Sequence, residues 1–203
     1  MNNPFSSWAG FDIDMNVKEK VMPKVVMFNA PKDSGKDFMV EQLSDILEHR
    51  AFKTELYQNT ADYFGVDLDL VIELASNRQT KELPHELFGG LSPRYALIFV
   101  SERVYKPKYG SDYYGKALVR SLGEGHYGIS DSGFQAEFDT VVSKLGSENV
   151  LLIRMFTQTS TFEGDSRQYI ENERGCVVYD VFNAKTERDV EYIRGIVEDW
   201  LEV

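Results

Sequence analysis

Short continuous apolar runs alternate along the chain with stretches in which apolar residues recur every three or four positions. The runs are Val25 to Phe28, Phe52 to Tyr57, Tyr127 to Asp131, Val150 to Met155 and Cys176 to Phe182. Their length and continuity are those of strands buried on both faces. Met39, Leu43, Ile46 and Leu47 form one helical stripe, Phe134, Phe138, Val141, Val142 and Leu145 a second, and Val190, Ile193, Val197 and Leu201 a third. From Thr60 to Leu122 the pattern is helical over most of its length, with Ala96, Leu97, Val100 and Val104, then Tyr114, Ala117 and Leu118, as its apolar positions. Strands alternating with helices predict an α/β fold, a parallel sheet covered by helices on both faces. Ligands in such folds bind beyond the carboxyl ends of the strands.

Composition narrows the class. With 203 residues, 42% hydrophobic and 27% charged, the chain suits one domain with its own core. Residues 1–22 carry Pro4, Ser6, Ser7 and Gly10 without sustained periodicity and read as an N-terminal arm, leaving 23–203 as the domain. No apolar stretch is long enough to span a bilayer, and the first residues lack a basic start followed by an apolar core, so no membrane association and a cytoplasmic location are expected. A net charge of −11 opposes coating of nucleic acid or anionic lipid, while a few arginines converging in one cleft still suit a small anionic substrate. The lone Cys176 sits in an apolar run and reads as a small buried hydrophobe. The three histidines have no metal-ligand spacing, so no zinc is expected.

Candidate chemistry begins in KVVMFNAPKDSGKDF, residues 24–38. A strand, a loop of small and polar residues and a helix follow one another there, and Gly35-Lys36 fits the end of a phosphate-binding (Walker A) loop. Ala30 stands where such a loop begins with glycine, and Asp37 where it ends with a hydroxyl. In this arrangement backbone N–H groups and the helix N-terminus converge on a polyanion, and Lys36 adds a full charge. An ordinary strand-to-helix turn is the simpler alternative, but it does not need Pro31, Ser34, Gly35 and Lys36 together.

The chain as a whole resembles the small P-loop kinases of nucleoside monophosphates, most closely the deoxynucleoside monophosphate kinases encoded by bacteriophages. SGKDF resembles that family's loop, in which Gly-Lys-Asp replaces Gly-Lys-Ser or Gly-Lys-Thr. RQTKELP at 78–84, SPRYALIFVSE at 92–102 and SDYYGKAL at 111–118 are similar to its substrate-binding region, and ISDSGFQAEFDTV at 129–141 to its strand ending in Asp. Gly133 departs from the family, which carries arginine there. The loop also resembles that of animal-type phosphomevalonate kinases, the nearest competing acceptor. The resemblance implies a P-loop kinase fold with a helical substrate-binding region at about 60–122 and a lid at about 156–170. It further implies ATP and Mg²⁺ as cofactors and a deoxynucleoside monophosphate as acceptor for viral DNA precursor synthesis in the host cytoplasm. A non-catalytic nucleotide-binding protein is the third reading, and homodimerisation is left open.

On that resemblance, Ala30, Lys32, Asp33, Ser34, Gly35, Lys36, Asp37, Phe38 and Asn183 would hold ATP, with Lys36 on the β and γ phosphates and Asp37 as the Mg²⁺ ligand. Asn183 is equally placed to cap the helix starting near Thr186. Asp131 is the second acidic group near the metal or acceptor, or else a helix cap. Arg78 and Arg94, with Lys81, Glu82 and Asp112, would contact the acceptor, because a guanidinium fork holds phosphate by two parallel hydrogen bonds; Lys81 and Glu82 also fit an ordinary solvated pair. Arg154 and Arg167 bracket a polar segment of lid length and would act on the migrating phosphoryl group while water is excluded. A solvated loop is the alternative for Arg167.

Overall fold

The computed structural model describes residues 21–203. Apart from Val21 and Met22, the expected N-terminal arm therefore lies outside the described residues. Five strands form one all-parallel sheet in the order β2-β3-β1-β4-β5: β1 (Lys24–Asn29), β2 (Glu48–Arg50), β3 (His126–Ser132), β4 (Val150–Phe156) and β5 (Val177–Phe182). The central strand β1 runs beside β3 and β4, so that Asn29, its last residue, sits level with Ser132 on one side and Arg154 on the other. The chain leaves β1 toward β2 and leaves β4 toward β5, in opposite directions. Such a reversal opens a crevice at the carboxyl ends of the strands.

Alternation within the strands divides the core into two layers. Val25, Met27, Ile129 and Leu152 face α6 (Tyr113–Ser121) and α7 (Gln135–Leu145), where Leu118, Phe138 and Val141 pack. Val26, Phe28, Leu151 and Ile153 face α1 (Lys36–Gln42) and α8 (Glu187–Leu201), where Met39, Ile193 and Val197 pack. Both faces are therefore covered, which is why these strands read as unbroken apolar runs. A smaller cluster of Ala61, Val71, Phe88 and Ala96 ties together α2 (Lys53–Phe64), α3 (Leu68–Ser76) and α4 (Pro93–Phe99). Beyond α4 the helix widens into a π-helical segment, Val100–Tyr105, and resumes as α5 (Lys106–Tyr109). Pro107 is the second residue of α5; it lacks the N–H that a regular helix would direct to residue 103, and a widened turn absorbs that defect.

Two local expectations are corrected. Phe52 to Tyr57 is not a strand: it begins α2, and the edge strand lies before it at Glu48–Arg50. The reason is tertiary, because the Asp131 carboxylate accepts the N–H groups of Phe52 and Lys53 at 3.0 and 2.9 Å and so caps α2 from a strand 78 residues away. The stripe from Met39 to Leu47 is not one helix either. α1 ends at Gln42, and Leu43 to Leu47 continue in tight turns that still bury Leu43 and Leu47.

Candidate functional site

At the carboxyl edge of β1, the loop from Ala30 to Gly35 turns the chain into α1. Asp33 and Gly35 adopt left-handed φ values of 61° and 89°, and Gly35 supplies the glycine that such a turn favours. None of the N–H groups of Asp33 to Phe38 donates to a backbone carbonyl with full geometry, so they remain open to an anion. The loop is held from outside. Asn183, just past β5 and buried, donates from Nδ2 to the Ser34 carbonyl at 2.8 Å, and Lys185 Nζ donates to the Asp33 carbonyl at 2.7 Å. Ser34 Oγ donates to the Pro31 carbonyl.

Lys36 is buried and folds back over the loop, its Nζ donating to the carbonyls of Ala30 and Pro31 at 2.7 and 2.6 Å. Burial, and secondly the nearby Arg167 cation, lower its pKa to about 8, partly offset by Asp37, Asp165 and Asp131. An arriving polyanion would offer better partners than two neutral carbonyls. Beside it, Asp37 Oδ1 accepts a 2.6 Å hydrogen bond from Ser130 Oγ. Because that hydroxyl has a single proton, it accepts in turn from His49 Nε2 at 3.0 Å. Burial raises the pKa of Asp131 against the two backbone donors that lower it. The carboxylates of Asp37 and Asp131 line one cavity of about 420 Å³ together with Lys36, Lys53, Arg78, Lys81 and Arg167. Oxygen donors beside a bank of cations fit a hard divalent ion shared with phosphates.

Arg167 reaches this cavity from the polar segment after β4. Its guanidinium is held by Asp165 in a fork, Nε to Oδ1 at 3.0 Å and Nη2 to Oδ2 at 2.6 Å, which raises its pKa and lowers that of Asp165. The segment is pinned to the sheet. Asn29 Nδ2 donates to the carbonyls of Ser132 and Gln168, Asn29 Oδ1 accepts the Ile170 N–H, and Gln168 N–H donates to the Gly133 carbonyl. The Arg167 stem fills the space beside Gly133: a Cβ at 133 would stand 2.7 to 2.8 Å from Arg167 Cβ, Cγ and Cδ. A side chain at 133 and the present path of Arg167 exclude one another.

Four cavities join into one cleft through shared lining residues. The first, beside Phe38, Met39, Asn183 and Val190, shares Asp33 and Gly35 with the loop cavity. The loop cavity shares Lys36, Asp37 and Arg78 with the carboxylate cavity, which shares Lys53, Asp131 and Arg167 with a largely apolar one of about 600 Å³. That last cavity is walled by Phe52, Leu56, Leu97, Ile98 and Phe134, with Arg94 at its rim.

The expected residues distribute along this cleft unevenly. Lys32, Asp33, Ser34, Gly35, Lys36, Asp37, Phe38 and Asn183 surround the first cavities, while Ala30 is buried beneath them. Arg78 pairs with Asp33 across the loop at 2.9 Å, on the loop side of the cleft and away from the apolar cavity. Lys81 lines the carboxylate cavity, and Arg94 contacts Glu82 at 3.4 Å. Arg154 is engaged elsewhere, in a fork on Asp180 at 2.6 and 2.8 Å and on the Ile170 carbonyl. Asp112 pairs with Lys116 on the surface and lines none of the four cavities. Sequence reasoning missed Asn29, Lys53, Ser130, Asp165 and Lys185. Only Asn29 carried a visible signal, a polar residue closing an apolar strand. No protein-family model matches the chain, and no curated protein does.

Proposed function

We propose that the chain is an ATP-dependent kinase that transfers the γ-phosphoryl group to the phosphate of a deoxynucleoside monophosphate, yielding the diphosphate and ADP. The observation that carries this reading is the single cleft that begins at an apolar niche beside Asn183, passes the loop and its cations, and ends in a second apolar cavity rimmed by Arg94. Two apolar ends joined by a polar, cationic middle match two nucleosides whose phosphates meet. Restriction to deoxyribose, and a role in viral DNA synthesis, rest on the resemblance of the loop and of residues 78–141 alone.

Phosphoryl transfer needs little covalent help; positioning and neutralisation of charge do most of the work. Lys36 leaves the Ala30 and Pro31 carbonyls for the β and γ phosphates, and Arg94 holds the acceptor phosphate from the other side. Arg167, oriented by Asp165, faces the junction where an acceptor oxygen attacks phosphorus in line with departing ADP. Mg²⁺ held by Asp37 would neutralise the phosphate charge and shield it from the carboxylates. The pinned segment after β4 covers this junction and limits access of water, which would otherwise compete as acceptor.

Coupled measurement of ADP formation with a panel of deoxynucleoside and ribonucleoside monophosphates and phosphomevalonate tests the reading. Turnover with a deoxynucleoside monophosphate, reduced roughly 10²- to 10³-fold by Lys36→Ala in a folded protein, is expected. Turnover only with phosphomevalonate would move the acceptor, and ATP binding without acceptor-dependent turnover would leave a nucleotide-binding protein.

A further inference from the structure

One carboxyl in the wall of the large apolar cavity has no protein group bonded to it. Glu137, on α7, is 4% exposed, and its carboxyl makes no hydrogen bond or ion pair among the described residues. Tyr114, on α6 in the same wall, is 2% exposed, and its hydroxyl is closed off from the cavity beside Asn59 and Ser101. Every other ionised group facing Glu137 is already engaged. Lys106 and Ser101 hold Glu102 at 2.7 and 2.9 Å, Asp131 caps α2, and Arg167 is forked on Asp165. Leaving a buried polar group unpaired costs roughly 1–3 kcal/mol, so the one carboxyl left without a protein partner in this wall marks where the polar edge of an occupant lies. The walls around it are flat or aliphatic, with Phe134 covered on one side by Lys106 Nζ at 4.4 Å from its ring. A heteroaromatic ring satisfies both demands, apolar faces and a polar edge.

On the kinase reading, we propose that Glu137 reads the edge of the acceptor's nucleobase, as an uncharged acid that pairs with an adjacent donor and acceptor. An uncharged carboxyl donates from one oxygen and accepts at the other, and moving its proton between the two oxygens reverses the order. It therefore pairs with the carbonyl and N–H of thymine or guanine, and equally with the ring nitrogen and amino group of cytosine or adenine. A carboxylate only accepts, and among these bases guanine alone offers two adjacent donors, its ring N–H and amino group. Burial, and secondly the Asp131 and Glu102 charges, push the Glu137 pKa up to about 8 against the opposing Lys106 and Arg167, and the Tyr114 hydroxyl is pushed up to about 12 by burial. The acid form thus prevails at neutral pH, and Tyr114 keeps its proton throughout.

Calorimetric titration with dTMP, dGMP, dCMP and dAMP at pH 6.5 and pH 9 tests this role of Glu137. The parent protein should bind several bases comparably at the lower pH, and its ratio of dGMP to dCMP affinity should rise about tenfold at the higher; losses of phosphate affinity common to all bases cancel in that ratio. Glu137→Gln keeps one donor and one acceptor and should hold the ratio constant with pH. Glu137→Ala, with folding verified by thermal melts, should weaken binding roughly 10- to 100-fold, whereas Tyr114→Phe, whose hydroxyl is closed off from the cavity, should stay within twofold of the parent. Parent affinity ratios that ignore pH, or Glu137→Ala affinities all within twofold of the parent, would overturn the base-reading role while leaving the kinase reading intact. No binding of any monophosphate would overturn both.

Discussion

Adding one methyl group at residue 133 tests whether Arg167 is placed by packing. In Gly133→Ala the new Cβ stands 2.7 Å from Arg167 Cβ and 2.8 Å from its Cγ and Cδ. Carbon pairs pack best about 3.5–4.0 Å apart, so the stem has to retreat by roughly 1 Å. It cannot do so freely: Asp165 holds the guanidinium by two bonds, and Gln168 N–H ties the neighbouring backbone to the Gly133 carbonyl at 3.1 Å. Such overpacking costs about 1–3 kcal/mol, read as a lower midpoint in urea with an unchanged slope. A displacement of about 1 Å at a positioned group costs roughly 10²-fold in turnover. Arg167→Gly is the informative partner variant, because alanine there would keep the Cβ that clashes first. If Arg167 transmits the effect, Gly133→Ala is costly in the parent background and nearly silent in Arg167→Gly, for stability and turnover alike. Equal losses in the two backgrounds would refute the placement.

The remaining predictions concern charge. Lys36 titrates near 8 in the free protein, and a bound polyanion raises that value, so ATP affinity should be flat below pH 8, fall up to about tenfold per unit above it, and lose this dependence in Lys36→Met; calorimetry between pH 7 and 9.5 reads it. Glu137 has a folded pKa raised from 4.5 to about 8, so its contribution to stability is complete at low pH and is lost as pH rises across that window; Glu137→Gln should flatten this part of the profile in urea titrations, and an unchanged profile would show that the carboxyl ionises freely. Asp37→Asn should raise metal-free ATP affinity by removing a negative charge beside the phosphates and shrink the gain on adding Mg²⁺; an ATP affinity of the parent that ignores Mg²⁺ would leave Asp37 as a first-turn helix residue. Arg94→Ala should raise the acceptor KM with little change in ATP affinity, and the reverse pattern would place Arg94 on the donor side.

Periodicity and run length were sufficient for the architecture. Four of the five apolar runs fall on β1, β3, β4 and β5; the inner strands β1, β3 and β4 are buried on both faces and have no polar face to interrupt them, whereas β5 is a largely exposed edge strand. The loop was equally legible, since a Gly-Lys step between strand and helix is a local feature. What failed locally was decided by contacts distant in sequence. Phe52 to Tyr57 is helical because Asp131 caps it, and no window around residue 55 contains that carboxylate. Arg154 and Arg167 looked alike in the sequence, yet Arg154 is spent on Asp180 while Gly133 makes room for Arg167. Glu137 occupied the apolar stripe of α7 in plain sight as its one charged member. Only the packing of α6 against α7 around the cavity turned that irregularity into a buried acid facing that cavity. The sequence by itself thus determined which segments are buried and where the strand-to-helix loop with its lysine lies, because those follow from local patterning. Which charges are free to act was decided by the tertiary structure, because a charge is neutralised by whatever neighbour the fold brings to it.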